Sequence, residues 1–98
     1  MEAFLHDRYP EEITSDELAE VAGCSRVALY RAFRGTRGVA PSDYQRQLRL
    51  RAARRLLASG KGVASVATEA GFADQAHLTR WFRRYYGITP GVYRAGAA

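Results

Sequence analysis

The chain repeats itself, and the repeat limits its folds more than any other feature. Leu29-Tyr-Arg-Ala-Phe33 returns as Leu78-Thr-Arg-Trp-Phe82, and Gly38, Pro41 and Tyr44 return as Gly87, Pro90 and Tyr93, every pair 49 residues apart. Upstream, Ala19 and Gly23 return as Ala67 and Gly71 at an offset of 48. The two copies therefore differ by one residue, in the turn that follows the glycine. A repeated short unit of this kind is one supersecondary element used twice.

The unit is helical. No run alternates with period two between turn signals, so no sheet is expected. "EAFLHDR" is a short amphipathic helix that ends before Pro10. In "TSDELAEVAG" Thr14 is the N-cap, Glu17 completes a capping box three residues on, and Gly23 stops the helix. Ser25 caps "RVALYRAFRG". Pro41 and Ser42 open a long helix that stops at Gly60. A short helix then runs to Gly71, Asp74 caps "QAHLTRWFRRYYG", and Pro90 opens a last short helix. The expectation is an all-α fold of about seven helices: a first helix-turn-helix subdomain over 1–40, a linker helix over 41–60 and a second subdomain over 61–98.

Each copy is thus a short helix, a turn beginning with glycine, and a capped second helix. Ala19 and Ala67 lie midway along the first helix, where a small side chain lets two helices approach closely. In this layout the second helix enters a DNA major groove. At about 100° per residue, Leu29, Ala32, Phe33 and Thr36 fall on one stripe of the first copy's second helix, and Arg26, Val27, Tyr30, Arg31 and Arg34 on the other. In the second copy Leu78, Trp81 and Phe82 take the core, with Tyr85 at its edge. Gln75, Ala76, Thr79, Arg80 and Arg83 face outwards.

Those outward residues suit base edges. Arg31 and Arg80 can bond guanine O6 and N7, Gln75 can bond adenine N6 and N7, and Val27, Ala76 and Thr79 can touch a thymine methyl. Tyr30 joins the same face. Arg34, Arg37, Arg83 and Arg84 lie later in their helices and suit phosphates, as do Ser25 and Arg26 at the start of theirs. His77, at the margin, is either a phosphate contact or a plain surface histidine.

Charge agrees with this division. Residues 1–20 carry seven acidic groups against Arg8, a net of −6, and residues 21–98 carry fourteen basic groups against three acidic ones, a net of +11. Fourteen of the fifteen basic residues are arginine, the side chain best shaped for bidentate bonds to phosphates and bases. Such a field in a small domain points to a polyanion partner.

The chain resembles the DNA-binding domain of AraC/XylS-type transcription regulators, from "ITSDELAEVAGCS" onward and most specifically in "GFADQAHLTRWFRRYYGITPGVYR". The resemblance implies two helix-turn-helix units bridged by a long helix, with recognition helices at 25–36 and 74–86. It also implies that positions 27, 30 and 31, and 75, 76, 79 and 80, face bases. Val27 and Ala76 replace polar readout at two of them. By the same resemblance the chain reads as a piece cut from a longer bacterial regulator, Met1 having been added, with its effector-binding and dimerisation domain elsewhere. The linker helix, about 27 Å long at 1.5 Å per residue, can hold two recognition helices for successive major grooves about 34 Å apart. Its stripe of Tyr44, Leu48, Ala52 and Leu56 is expected to be core. Arg46, Arg49, Arg51, Arg54 and Arg55 are expected in solvent, some near DNA or RNA polymerase.

Other classes fit less well. No paired carboxylates, spaced Ser/His/Asp set or metal cluster marks an enzyme, and neither a cofactor nor a metal is expected. Cys24 is expected to be a small buried residue of the turn, and being single it forms no internal disulfide. No apolar run reaches the ~20 residues of a membrane span, which suggests a cytoplasmic protein. Two alternatives stay open: the helix-turn-helix segment of a bifunctional DNA-repair methyltransferase/regulator, and a protein-interaction module docking through its acidic first twenty residues.

Overall fold

The computed structural model describes residues 2–96; Met1, read above as an added residue, lies outside them. The described residues form seven helices and no strand: α1 (Glu2–Arg8), α2 (Ser15–Ala22), α3 (Arg26–Arg37), α4 (Pro41–Ala58), α5 (Val63–Ala70), α6 (Gln75–Tyr86) and α7 (Pro90–Gly96). They group into two compact units, Met1–Leu48 and Arg49–Ala98, so the division falls inside α4.

In the first unit Leu5, Leu18, Ala19, Leu29, Phe33, Tyr44 and Leu48 form the core, flanked by the partly buried Phe4, Tyr9, Ile13 and Val39. Phe33 meets Tyr44 edge to face at 5.3 Å between ring centroids. Pro10 breaks the helical ladder after α1, and the loop that follows needs partners for its carbonyls. The buried Gln45 supplies them: its Nε2 donates to the carbonyls of Tyr9 (3.0 Å) and Glu11 (2.8 Å). His6 Nε2 and the Tyr44 hydroxyl share a further hydrogen bond of 3.0 Å.

In the second unit Leu50, Ala53 and Leu57 of α4 are buried with Val66, Ala67 and Ala70 of α5, Phe72, Leu78 and Phe82. Phe82 lies 4.6 Å from the Tyr86 ring and 5.7 Å from the Tyr93 ring. Burying one such phenyl group contributes roughly 1.5–3 kcal/mol. Arg94 of α7 closes the unit by donating from Nε to the Lys61 carbonyl (2.9 Å) and from Nη2 to the Gly60 carbonyl (2.8 Å).

The expected stripe on α4 needs one correction. Tyr44, Leu48 and Ala52 are buried, but Leu56 is half-exposed and Leu57 takes its place in the core. An i, i+4 series drifts by about 40° at each step, so by its fourth member it has left the face it began on. The helix's arginines are also less free than expected: Arg46 and Arg49 are half-buried, Arg46 pairs with Asp43 at 3.1 Å, and the Arg54 guanidinium lies 5.4 Å above the Tyr86 ring.

Candidate nucleic-acid interface

Both copies set their second helix by the same local bonds. The first helix ends on a glycine in the left-handed region, Gly23 at φ 69° and Gly71 at φ 92°, where a Cβ would be strained. The next residue then reaches back: Cys24 N–H donates to the Ala19 carbonyl (3.0 Å) and Phe72 N–H to that of Ala67 (2.8 Å). This bond closes the helix and turns the chain. The second helix then starts on a side-chain cap, Ser25 Oγ accepting from Ala28 N–H (3.1 Å) and Asp74 Oδ1 from His77 N–H (2.7 Å). It stops at Gly38 or Gly87, whose N–H donates to the carbonyl of Arg34 or Arg83. In α2 the cap also forms, Thr14 Oγ1 accepting from Glu17 N–H at 3.1 Å while the Glu17 carboxylate accepts from the Thr14 hydroxyl at 3.3 Å.

The fixed helices bury narrow strips. Only Leu29 and Phe33 of α3, and Leu78 and Phe82 of α6, are buried, packed over the small Ala19 and Ala67. The expected core was wider. Ala32 and Thr36 are exposed, Trp81 is half-exposed and Tyr85 is 50% exposed. Trp81 stands 49 residues after Ala32, and Tyr85 after Thr36, so the same shoulder falls outside the strip in both copies. The Arg84 guanidinium covers the Trp81 ring at 5.3 Å from its centroid.

The opposite face is open in each unit. On α6, Gln75, Ala76, Thr79, Arg80, Arg83 and Arg84 line one open depression of about 820 Å³. On α3, Arg26, Val27, Tyr30 and Arg31 line another of about 500 Å³, together with Ser15, Leu29 and Pro41. Val27 is 62% and Tyr30 50% exposed, an apolar surface that a monomeric helix has no internal reason to present. The Arg34 guanidinium lies 5.9 Å from the Tyr30 ring.

Some of the expected phosphate contacts already have partners. Arg26 Nε lies 3.4 Å from Asp16 Oδ1 on α2, and the Arg37 guanidinium lies 5.4 Å over Tyr44. Ser25 Oγ accepts the cap bond but retains its hydroxyl hydrogen. His77 is half-buried, its ring 5.5 Å from Phe72, and its Nδ1 accepts from Ala73 N–H at 3.2 Å. Cys24 is exposed, against the expectation that it is buried. Its backbone makes the turn, while the position in the second copy is taken by Phe72, which has His77 to pack on.

Sequence reasoning missed the contacts that cross between helices. Neither Gln45 nor Arg94 shows a local signal, and the Asp16–Arg26 pair joins residues on different helices. Among the described residues there is no group of three or more metal-ligating side chains, and no helix is long and apolar enough to cross a membrane.

A family profile described as a helix-turn-helix domain matches residues 18–96. Among characterised proteins, the transcriptional activator NphR of a Rhodococcus species is 39% identical over 95 residues, covering 96% of this chain and 27% of that protein. The transcriptional activator RhaS of Escherichia coli O139:H28 is 36% identical over 95 residues, covering 96% of this chain and 34% of RhaS. The chain thus spans about a quarter to a third of the length of such relatives. The DNA-binding domain of the global transcriptional factor AdpA, solved in complex with a target DNA, superimposes with a TM-score of 0.90 at 34% identity, over 96% of this chain and 86% of that one. With two capped helix-turn-helix units, this match and these relatives, the chain belongs to the helix-turn-helix DNA-binding domains of AraC/XylS-type transcription regulators.

Proposed function

We propose that the chain reads a specific double-stranded DNA sequence and thereby regulates bacterial transcription, with 1–40 and 61–98 as reading subdomains and 41–60 as their linker. The observation that carries this reading is the pair of open faces on α3 and α6, each held by the same turn and caps and each lined by arginine. The AdpA domain, similar along nearly the whole chain, is bound to a target DNA. Arg31 and Arg80 take guanine, Gln75 takes adenine, and Val27, Ala76 and Thr79 meet thymine methyls, with Tyr30 beside them. Arg34, Arg83 and Arg84 bind phosphates, joined by Ser25, Arg26, Arg37 and His77. The chain acts by binding rather than catalysis, in the bacterial cytoplasm, and works with RNA polymerase and an effector-binding domain in the whole regulator.

Selection of bound sites from random duplex DNA, followed by footprinting, tests the reading. The expected product is an asymmetric site of about two helical turns, bound with an affinity that falls steeply with salt. Recovery of no preferred sequence would refute base reading.

A further inference from the structure

We infer that the two units divide the work on DNA: the second is the electrostatic anchor, and the first is a sequence check that its own carboxylates keep off non-cognate DNA. This rests on the DNA-binding reading above and adds a role for each unit within it.

The units differ sharply in charge. Residues 1–48 hold eight carboxylates against six arginines, a net of −2, and residues 49–98 hold two carboxylates against nine cations, a net of +7. Ion pairing leaves that gap unchanged, since each pair removes one charge of either sign. In the first unit Arg8 pairs with Glu11, Arg26 with Asp16 and Arg46 with Asp43. In the second unit both carboxylates are engaged: Glu69 holds Lys61 at 2.7 Å, and Asp74 accepts the cap bond from His77 N–H. The exposed Arg80, Arg83 and Arg84 of α6 thus stand in a unit with two carboxylates against nine cations, and one of the two, Asp74 at the start of α6, keeps its charge beside them.

Placement gives this difference its effect. Asp16, Glu17 and Glu20 are exposed on α2, the helix that packs against α3. Asp16 Oδ1 lies 3.4 Å from Arg26 Nε, so any phosphate that Arg26 reaches lies well inside the ~10 Å screening length of 0.1 M salt from that carboxylate. On non-cognate DNA, where binding is nearly all phosphate neutralisation, the first unit therefore contributes little. On the cognate site Val27, Tyr30 and Arg31 add base contacts that offset the repulsion. A charge that weakens the wrong complex more than the right one raises specificity without adding a contact to the right one.

The test measures affinity against salt for the whole chain on random duplex DNA and on its selected site. D16N/E20Q is expected to bind random duplex about 3- to 10-fold more tightly at 0.1 M salt, with a slope steeper by about one phosphate, and to gain less on the selected site. A gain of affinity cannot come from misfolding. Arg34→Ala and Arg83→Ala form a matched pair, each an exposed residue whose carbonyl holds the closing glycine. Arg83→Ala is expected to flatten the slope on random duplex by about one, and Arg34→Ala to flatten it by clearly less. Equal loss from the matched pair, or unchanged random-duplex affinity in D16N/E20Q, overturns the division of labour while leaving DNA reading intact. Failure of the unaltered chain to bind any duplex at low salt overturns both.

Discussion

The two copies of the repeat share a frame and differ in what they hang on it. In each, a left-handed glycine, a side-chain cap and a two-residue strip fix the second helix. The first copy carries exposed carboxylates on α2, of which Asp16 pairs with Arg26 of that helix, and its turn carries an exposed Cys24. The second precedes it with the mostly apolar "VASVATEA", and its turn carries a buried Phe72 against His77. The extra residue of the second turn accompanies this second anchor. The comparison teaches that the frame needs few positions, which leaves the remaining surface of each copy free to take a different charge and a different set of outward-facing side chains.

The frame itself gives the largest predicted effects. Phe33→Ala and Phe82→Ala remove equivalent buried rings and should each cost about 3–5 kcal/mol in denaturant melts. A loss below about 1 kcal/mol at either site would show that the two cores are not equivalent. Next come the residues proposed to read bases. Arg31→Ala and Arg80→Ala should each cost about 1–3 kcal/mol on the selected site and relax sequence preference at one position. Equal loss on random and selected DNA would demote either arginine to a phosphate contact. Trp81→Ala should cost about 1–2 kcal/mol, less than Phe82→Ala, because half-exposed Trp81 sits on the shoulder that Ala32 occupies in the first copy. The caps come after that: Ser25→Ala and Asp74→Ala should each cost about 1 kcal/mol, with Asp74 the larger because its bond is charge-assisted. Reversal of that order in thermal melts would separate the two turns.

The smallest effect concerns pH. Burial pushes the Tyr86 phenol above its usual 10.0, against an opposing pull from Arg54. The folded state thus holds that proton more tightly than the unfolded chain does. Its contribution is complete below pH 10 and is lost as pH rises through the folded value. The corresponding position in the first copy is Arg37, so this alkaline loss belongs to the second unit. Tyr86→Phe should flatten the stability profile above pH 10, and an unchanged profile would assign the loss to another group.

Much of this was legible in the sequence because caps and closing glycines act over three to five residues. Thr14, Ser25, Asp74, Gly23 and Gly71 could be placed before any coordinates, and the repeat cross-checked each of the last four. The exposed faces of α3 and α6 followed from periodicity. What periodicity lacks is the width of the buried strip. It put Trp81, Ala32 and Thr36 in the core, although a small helical unit covers only one line of its second helix. It also set Leu56 where Leu57 belongs, because drift accumulates along a helix of 18 residues. Cys24 was misjudged by residue type alone, since its burial depends on whether a partner stands opposite. Gln45, Arg94 and Asp16 act across distances in sequence that no local pattern spans.

The Arg94 contact has a consequence for anyone reshaping this chain. Its guanidinium occupies the carbonyls of Gly60 and Lys61, just past the end of α4, from a side chain almost at the far end of the described residues. A fusion partner or affinity tag attached after Gly96 would leave that bond in place, with the exposed Ala95 and Gly96 as a short spacer. Trimming the chain by three residues more, to Tyr93, would delete the clasp, so position 94 sets the shortest tail that a minimal DNA-reading module can carry.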